Sequence, residues 1–425
     1  MTGARKWLLG VGSTLGVLAL LAVVLVSLIP SDEELARRAA VEIEVALGVP
    51  VNIGALHWHL LPVPLVEIEN AASGQPQPLQ VKKVTAYLNT AALWQRRLKV
   101  DRAVLQGAVL PQLSLPVLGR EYQAAGTGEP GGFRLDEIPL AHFEFRDVTW
   151  ISRRGNHIVY DGEVDFDARW RPRTAQLRRS QVTPVTDLTL TRLGHDDRWD
   201  VRANVGGGSA NGQIQFGSGS GDAMRLTGKL RPRGIELYRA LHAFNHRSIV
   251  TGKASGETTL SAKGDTPNEL AQSLHSTTSF TMGRSTLLRF DLDKAIRTVG
   301  KDHAGETPLD SITGQLDTQN TPEGMVIDFS RVKAASGALS ASGKARVGNQ
   351  HIDAVFAVDL VKGLVGIPLK ISGPLDQVQV SVPASAVAGA VAGTAVLPGI
   401  GTAIGARIGA AIGQVFGAKP DGKRP

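Results

Sequence analysis

Two histidines, His57 and His59, flank Trp58 and come closer to a metal-binding pattern than any other residues in the sequence. If this segment is a strand, both imidazoles point to the same side and supply half of a tetrahedral zinc site. No third ligand stands nearby at a zinc-site spacing, so a solvated strand face is the simpler interpretation. The chain has no cysteine, which excludes disulfides, thiol catalysis and cysteine-ligated zinc.

Two glycine-rich segments imitate catalytic loops but lack the residue that each chemistry needs. Residues 217–221 read Gly-Ser-Gly-Ser-Gly, so a glycine stands where a nucleophile elbow requires serine. Residues 417–423 begin like a phosphate-binding loop, but Arg424 replaces the required Ser or Thr. We therefore expect no enzymatic activity and no cofactor.

The N-terminal residues predict a membrane anchor. Residues 7–29 carry no charge and are long enough to cross the hydrocarbon core as a helix. Arg5 and Lys6 precede the run and three acidic residues follow it at 32–34. The positive-inside rule then predicts a cytoplasmic stub and anchor over 1–30, with the remaining chain across the membrane. A cleaved signal peptide is the alternative, but the run is long for one and no A-x-A site ends it.

This location decides how the basic charge is interpreted. The net charge is +7, which suits either nucleic acid or anionic lipid head groups. Beyond the membrane there is little nucleic acid, so we expect no nucleic-acid partner. The densest basic stretch is either a patch for lipid head groups or a solvated loop; it consists of Arg169, Arg171, Arg173, Arg178 and Arg179. Asp165 and Asp167 nearby are expected to be solvated charges on one strand face.

A short amphipathic helix is predicted over 31–48. Ser31 and Glu34 form a capping box, an apolar face follows at Leu35, Ala39 and Ile43, and Gly48 can end the helix. Such a helix would lie at the membrane surface or plug one end of the body that follows.

From 49 to 383 the dominant hydrophobic period is two, which predicts many antiparallel strands with one apolar face each. We place one body at 49–250, another at 251–383, and an internal helix at 267–276. The rows of apolar residues form either an ordinary filled core or the wall of a hydrophobic groove, and the alternation leaves both open. The candidates for a groove wall are Phe143, Phe145, Val164, Phe166, Trp170, Trp199, Val201, Ile352, Phe356 and Val358.

Residues 384–425 form an apolar, glycine-rich tail. Its glycines recur every four residues, a spacing that aligns them in a groove where a second helix can pack. The predicted helix-packing positions are Gly401, Gly405, Gly409, Gly413 and Gly417. A flexible low-complexity tail is the alternative.

Two groups of motifs resemble the AsmA family of Gram-negative envelope proteins. After the predicted anchor and short helix, the chain reads Gly-Val-Pro-Val-Asn-Ile-Gly at 48–54 and Pro-Val-Pro-Leu-Val-Glu-Ile-Glu-Asn at 62–70. Near the C-terminus, Ile-Pro-Leu-Lys-Ile-Ser-Gly-Pro-Leu at 367–375 is similar to another family strand. The element at 283–294 departs slightly, because Arg289 and Phe290 stand near a position where the family often has glycine. The resemblance covers roughly half of the chain and none of 111–250.

The resemblance implies a long, curled β-sheet with a hydrophobic groove, akin to bridge-like lipid transfer proteins. It also implies an inner-membrane protein whose bulk lies in the periplasm, with phospholipid as its ligand. The leading hypothesis is a module that binds and conducts phospholipid in outer-membrane biogenesis and maintenance. The alternative is a structural or regulatory factor of outer-membrane assembly that transports nothing. The tail is the expected contact with the outer membrane or with another envelope protein.

Overall fold

The structure is a computed structural model, and only part of the chain is described below. The described residues are 32–59, 62–117, 134–167, 171–194, 197–218, 223–265, 267–298, 300–321, 324–337, 339–360, 364–375 and 377–381. The predicted anchor at 1–30, the tail at 384–425 with its five aligned glycines, and Trp170 lie outside them. Of the helices in the described ranges, none is both long enough and apolar enough to cross a membrane.

The chain is mainly β, as the two-residue period predicted. The pairings assign 21 strands to one open sheet that is mixed and mostly antiparallel. The first eleven are β1 Val51–His59, β2 Leu65–Ser73, β3 Gln80–Leu88, β4 Arg97–Pro111, β5 Arg134–Ile151, β6 His157–Phe166, β7 Pro172–Arg179, β8 Asp187–Arg192, β9 Arg198–Val205, β10 Gly208–Ser218 and β11 Met224–Arg233. The rest are β12 Ile235–Glu236, β13 Val250–Gly264, β14 His275–Leu287, β15 Thr307–Leu309, β16 Ser311–Thr321, β17 Gly324–Ser336, β18 Leu339–Gly348, β19 His351–Leu360, β20 Leu364–Pro374 and β21 Gln379–Ser381.

Helices are few and short among the described residues. They are α1 Asp32–Leu47, α2 Thr90–Trp94, α3 Leu237–Ala243, α4 Pro267–Gln272 and α5 Leu292–Arg297, with a 3-10 helix at Gln112–Val117. The helix expected at 267–276 is thus present but shorter, because the chain enters β14 at His275. The other short helices carry too few residues for a periodic signal.

One strand pair contradicts the expectation of a purely antiparallel sheet. β4 and β5 run parallel, with Ala103 opposite Phe143 and Leu105 opposite Phe145. Parallel neighbours need a long crossover connection. The described part of the connection between these two strands is the 3-10 helix at Gln112–Val117.

The chain divides into two compact units. Unit 1 contains Met1–Arg231, Arg239–Arg247 and Leu260–Leu274. Its first core lies between α1 and one face of β1–β5, where Leu35 and Ala39 of the helix and Leu56 of β1 are each 1 % exposed. The predicted apolar face of this helix therefore covers one end of the sheet in unit 1. A second cluster joins Leu270 of α4 to Met224 and Ala262.

Unit 2 contains Pro232–Tyr238, Ser248–Thr259 and His275–Pro425. Its core lies beneath α5, where Leu292 and Ile296 pack against strand residues. Those strand residues are Leu339, Val358, Ile367 and Leu369. Asp291 caps α5 by accepting a hydrogen bond from the Lys294 amide at 2.9 Å.

Several strands bend at a residue with positive φ. Asn70, Asp147 and Arg331 have φ of 55°, 53° and 51°, and Gly107 has φ of 63°. The ladders between β5 and β6 and between β17 and β18 shift register where Asp147 and Arg331 lie. Such bulges let a long strand change direction and re-aim its following side chains. Because a bulge adds one residue to the strand, apolar residues with odd numbers on one side of the bend and even numbers on the other can then face the same core.

Candidate functional site

The strand registers of unit 1 align apolar side chains into two transverse rows. Each row crosses β1–β10 through directly paired residues, one from each strand. The first apolar row is Leu56, Ile68, Val84, Leu105, Phe145, Gly162, Leu177, Leu188, Ala203 and Ala210. The second apolar row is Trp58, Val66, Ala86, Ala103, Phe143, Val164, Ala175, Leu190, Val201 and Gly212. With strands ~4.8 Å apart, each row extends about 43 Å.

The row between them points to the opposite face and is polar. It consists of His57, Glu67, Thr85, Val104, Glu144, Glu163, Gln176, Thr189, Arg202 and Asn211. Val104 is its apolar exception. The sheet of unit 1 therefore has one continuous apolar face and one polar face, because neighbouring strands pair in a register that preserves the alternation.

The apolar face is covered unevenly. Towards β1–β4 it is packed under α1, where Val66, Ala86 and Ala103 are buried. Towards β5–β8 its large side chains are only half-buried. These half-buried positions are Phe143, Phe145, Val164, Leu177, Leu188 and Leu190. Half-buried apolar side chains in two adjacent rows form a surface that an apolar ligand can contact.

Glycines opposite phenylalanines flatten this face. A Cβ added to Gly162 would lie within 3 Å of the Phe145 ring and of the Gln176 carbonyl oxygen. The ring therefore lies over its cross-strand glycine instead of standing away from the sheet. Unit 2 repeats the arrangement, with Phe280 over Gly314 and Phe356 against Gly343. Glycine inside a strand commonly marks such a close approach.

Unit 2 has apolar rows of its own. One consists of Leu316, Phe329, Ala345, Ala354, Ile371 and Val380, and another of Met282, Ile312, Ala334, Ala341, Val358 and Ile367. Ile352, Phe356 and Val358 share a face of β19, as the sequence predicted.

Some predicted wall residues are core residues. Val358 is 0 % exposed in the cluster with α5, and Trp199 and Val201 are each 4 % exposed. The Arg192 guanidinium lies 5.6 Å from the centre of the Trp199 ring. Side chains this deeply buried offer almost no surface to a ligand in this conformation, so these three residues support the fold. Phe143, Phe145, Val164, Phe166, Ile352 and Phe356 keep part of their surface.

Val164 and Phe166 lie on β6, whereas Trp170, the next candidate for the groove wall, lies outside the described residues. β6 ends at Phe166, and the Asp167 amide donates to the Arg171 carbonyl at 2.8 Å. Pro172 begins β7, and its missing N–H favours the end of a strand.

The basic stretch, predicted to be either a patch for lipid head groups or a solvated loop, lies largely on β7, with Arg169 outside the described residues. Arg171 bonds Asp167 at 3.1 Å, and Arg178 lies 3.7 Å from Asp161. Arg179 is 9 % exposed and donates to the Ala243 and Val159 carbonyls at 2.8 and 2.7 Å. This arginine fastens α3 to β6 and β7 within unit 1.

Charged side chains on the polar face form local networks. Asp165 accepts a hydrogen bond from Thr174 at 2.6 Å and lies 2.8 Å from His142 Nδ1. Burial alone would raise the pKa of Asp165, but the bonds from Thr174 and His142 outweigh burial and lower it. Burial would also raise the pKa of Glu144, but the bonds from Arg102 and Arg146 outweigh burial and lower it. The aspartates expected to be merely solvated are therefore paired.

The histidine pair has no metal-site geometry. His57 and His59 are exposed, and His57 Nδ1 lies 3.2 Å from Asp32 Oδ2 of α1. Across the described ranges, no group of three or more His, Asp or Glu residues could hold a metal ion.

No protein family, no curated protein and no solved structure matches the chain. The arrangement of its own residues therefore has to support any function. The sequence predicted which side chains share a strand face, but not the transverse rows, because cross-strand register depends on pairing partners far apart in sequence. The Phe–Gly pairs were also missed; isolated glycines at 162, 314 and 343 inside alternating segments were the available signal.

Proposed function

We propose that this chain is an inner-membrane-anchored periplasmic protein of the AsmA type whose apolar sheet face binds phospholipid acyl chains and conducts them in outer-membrane biogenesis and maintenance. The half-buried apolar rows across β5–β8 carry this proposal. They provide consecutive apolar contacts at strand spacing, so an acyl chain could move along them without entering water. Exposing a chain would cost ~0.8 kcal/mol per CH2 group.

The polar groups of the lipid would remain in water beside the face. Such passage needs no cofactor and no covalent chemistry in this chain. The uncharged run at 7–29 and the motifs at 48–54 and 62–70 support the anchored, AsmA-like interpretation. A curled sheet with a groove and paired glycine-zipper helices in the tail belong to the same proposal.

A phospholipid transfer assay between vesicles tests this function with the full-length chain in the donor membrane. Leu190→Glu places a charge on the apolar face of β8, whereas Thr189→Glu places the same charge on the polar face one residue away. We expect Leu190→Glu to abolish transfer and Thr189→Glu to preserve it. Equal transfer by both variants would refute conduction along this face.

The topology has a separate test. A reporter that is active only outside the cytoplasm, fused after residue 383, should be active because the uncharged run at 7–29 follows Arg5 and Lys6. Activity of a cytoplasm-only reporter at that position would contradict the proposed location.

A structural factor of envelope assembly is the second candidate. The packed residues favour it, since Val358 and Leu369 lie in a filled cluster under α5 and Leu56 in one under α1. This candidate predicts that neither β8 variant changes lipid movement.

A further inference from the structure

One corner of unit 1 exposes a tryptophan to an unusual degree. Trp94 is 90 % exposed at the end of α2, and Val63 in the β1–β2 turn is 48 % exposed. We define these residues, together with Arg96 and Arg97, as the Trp94 corner. The Leu88 amide, just before α2, donates to the Pro64 carbonyl at 2.8 Å and so joins the two segments of this corner.

The exposure of Trp94 is fixed by its own helix. Asn89 caps α2 by accepting from the Ala92 amide at 2.9 Å, and its side-chain amide donates to Asp101 at 2.8 and 3.0 Å. Ala92 is 4 % exposed, and Leu93 packs against the core under α1. With those residues turned inward, the helix directs Trp94 outward.

Positive charge accompanies the tryptophan. Arg96 and Arg97 are both exposed and follow it within three residues. Arg97 donates to the side-chain oxygen of Gln95, and Asp101 accepts from Asn89. A tryptophan beside two arginines fits the interface of an anionic bilayer, where the ring lies at head-group depth and the guanidinium groups contact phosphates.

The position in the chain points to the same partner. α1 begins at Asp32, three residues after the uncharged run ends at Ile29. The contact between Asp32 and His57 places this helix terminus beside the last residues of β1. The chain therefore enters unit 1 beside the end of the strand that leads to Val63.

We infer that the Trp94 corner docks onto the surface of the bilayer that the anchor spans, with Trp94 and Val63 in the interfacial region and Arg96 and Arg97 on anionic head groups. This inference rests on the proposed function for the anchor, and it deepens that function. Docking places the strand ends near Trp58 and Val66, where the second apolar row begins, at the membrane. A phospholipid would pass onto the sheet at this place.

Spin labelling of the full-length protein in nanodiscs containing phosphatidylglycerol tests this docking. The chain has no native cysteine, so one introduced cysteine carries the label. Val63→Cys retains Trp94 and reports on the corner, Trp94→Cys reports on the tryptophan position itself, and Leu113→Cys is the matched control. Leu113 is 52 % exposed and follows β4, whose 15 residues place it on the order of 45 Å from the corner at ~3.3 Å per residue.

We expect labels at 63 and 94 to show an oxygen-to-nickel accessibility ratio several-fold higher than the label at 113. Arg96→Glu with Arg97→Glu should remove that difference at 63. Labels at 63 and 94 as water-accessible as the label at 113 would overturn the docking, whether or not lipid transfer occurs. If the labels at 63 and 94 dock but Leu190→Glu and Thr189→Glu transfer lipid equally, the docking is upheld and only conduction is refuted.

Discussion

The cross-strand pair of Phe145 and Gly162 gives a prediction whose sign depends on the observed geometry. Gly162→Ala would place a methyl group within 3 Å of two groups from different strands, the Phe145 ring of β5 and the Gln176 carbonyl oxygen of β7. The ring can rotate away, but the carbonyl belongs to the ladder. Overpacking of this kind costs ~1–3 kcal/mol, and removing a glycine returns ~0.4–1 kcal/mol through the unfolded chain. We expect a net loss of about 1–2 kcal/mol.

Unfolding in urea, followed by tryptophan emission, measures this loss in unit 1. Every described tryptophan lies there, and Trp199 is 4 % exposed, so its emission will shift to the red as the unit unfolds. Gly217→Ala is the matched control, because a Cβ at Gly217 meets nothing within 4 Å. Phe145→Leu added to Gly162→Ala should recover part of the loss by removing the ring. A Gly162→Ala protein as stable as Gly217→Ala would refute the close approach.

Three further outcomes follow from the same structure. Leu56 is 1 % exposed beneath α1, so Leu56→Ala should destabilise unit 1 by ~2–5 kcal/mol. Leu190 lies on the half-buried part of the apolar face, so Leu190→Ala should cost about 1 kcal/mol or less. Equal urea midpoints for the two variants would contradict the uneven cover of this face. Asn89→Ala should remove ~1 kcal/mol from α2 and speed hydrogen exchange across 90–96, while β6 and β7 remain unchanged. The lowered pKa values of Glu144, Asp161 and Asp165 mean that their stabilisation is present above their unfolded pKa, ~4, and is lost as the pH falls through the folded values. The urea midpoint should therefore decrease as the pH is lowered below about 4, and this decrease should be less steep for Asp165→Asn. An unchanged acid slope in that variant would show that the Asp165 network is not formed.

Local pattern predicted much of the fold. Alternation identified β5, β9 and β19 and the apolar side of each, because one buried face imposes a period of two. The apolar stripe of residues 35–43 predicted an amphipathic helix, and its apolar face packs over one end of the sheet in unit 1. These features depend on neighbours in sequence.

Features that depend on distant pairing were not predictable from the same pattern. The parallel pairing of β4 and β5 joins strands separated by 22 residues, and the alternation within each strand does not specify the direction of its partner. The apolar alternation of the sequence continues past Phe166, although β6 ends there, so the alternation does not mark the end of that strand. Val358 has the same apolar character as Ile352, and only the position of α5 decides which of them is buried.

Photo-crosslinking in cells tests the central claim, a lipid-binding apolar face, most directly. A photoreactive amino acid should be placed at Phe143, Val164 and Leu190 of the second apolar row, and at Glu144, Glu163 and Thr189 of the polar row, so that each pair shares a strand. Phospholipid should be captured from the apolar positions and not from their polar neighbours. Equal capture on both faces, or none on either, would contradict a lipid-conducting face and favour the structural role.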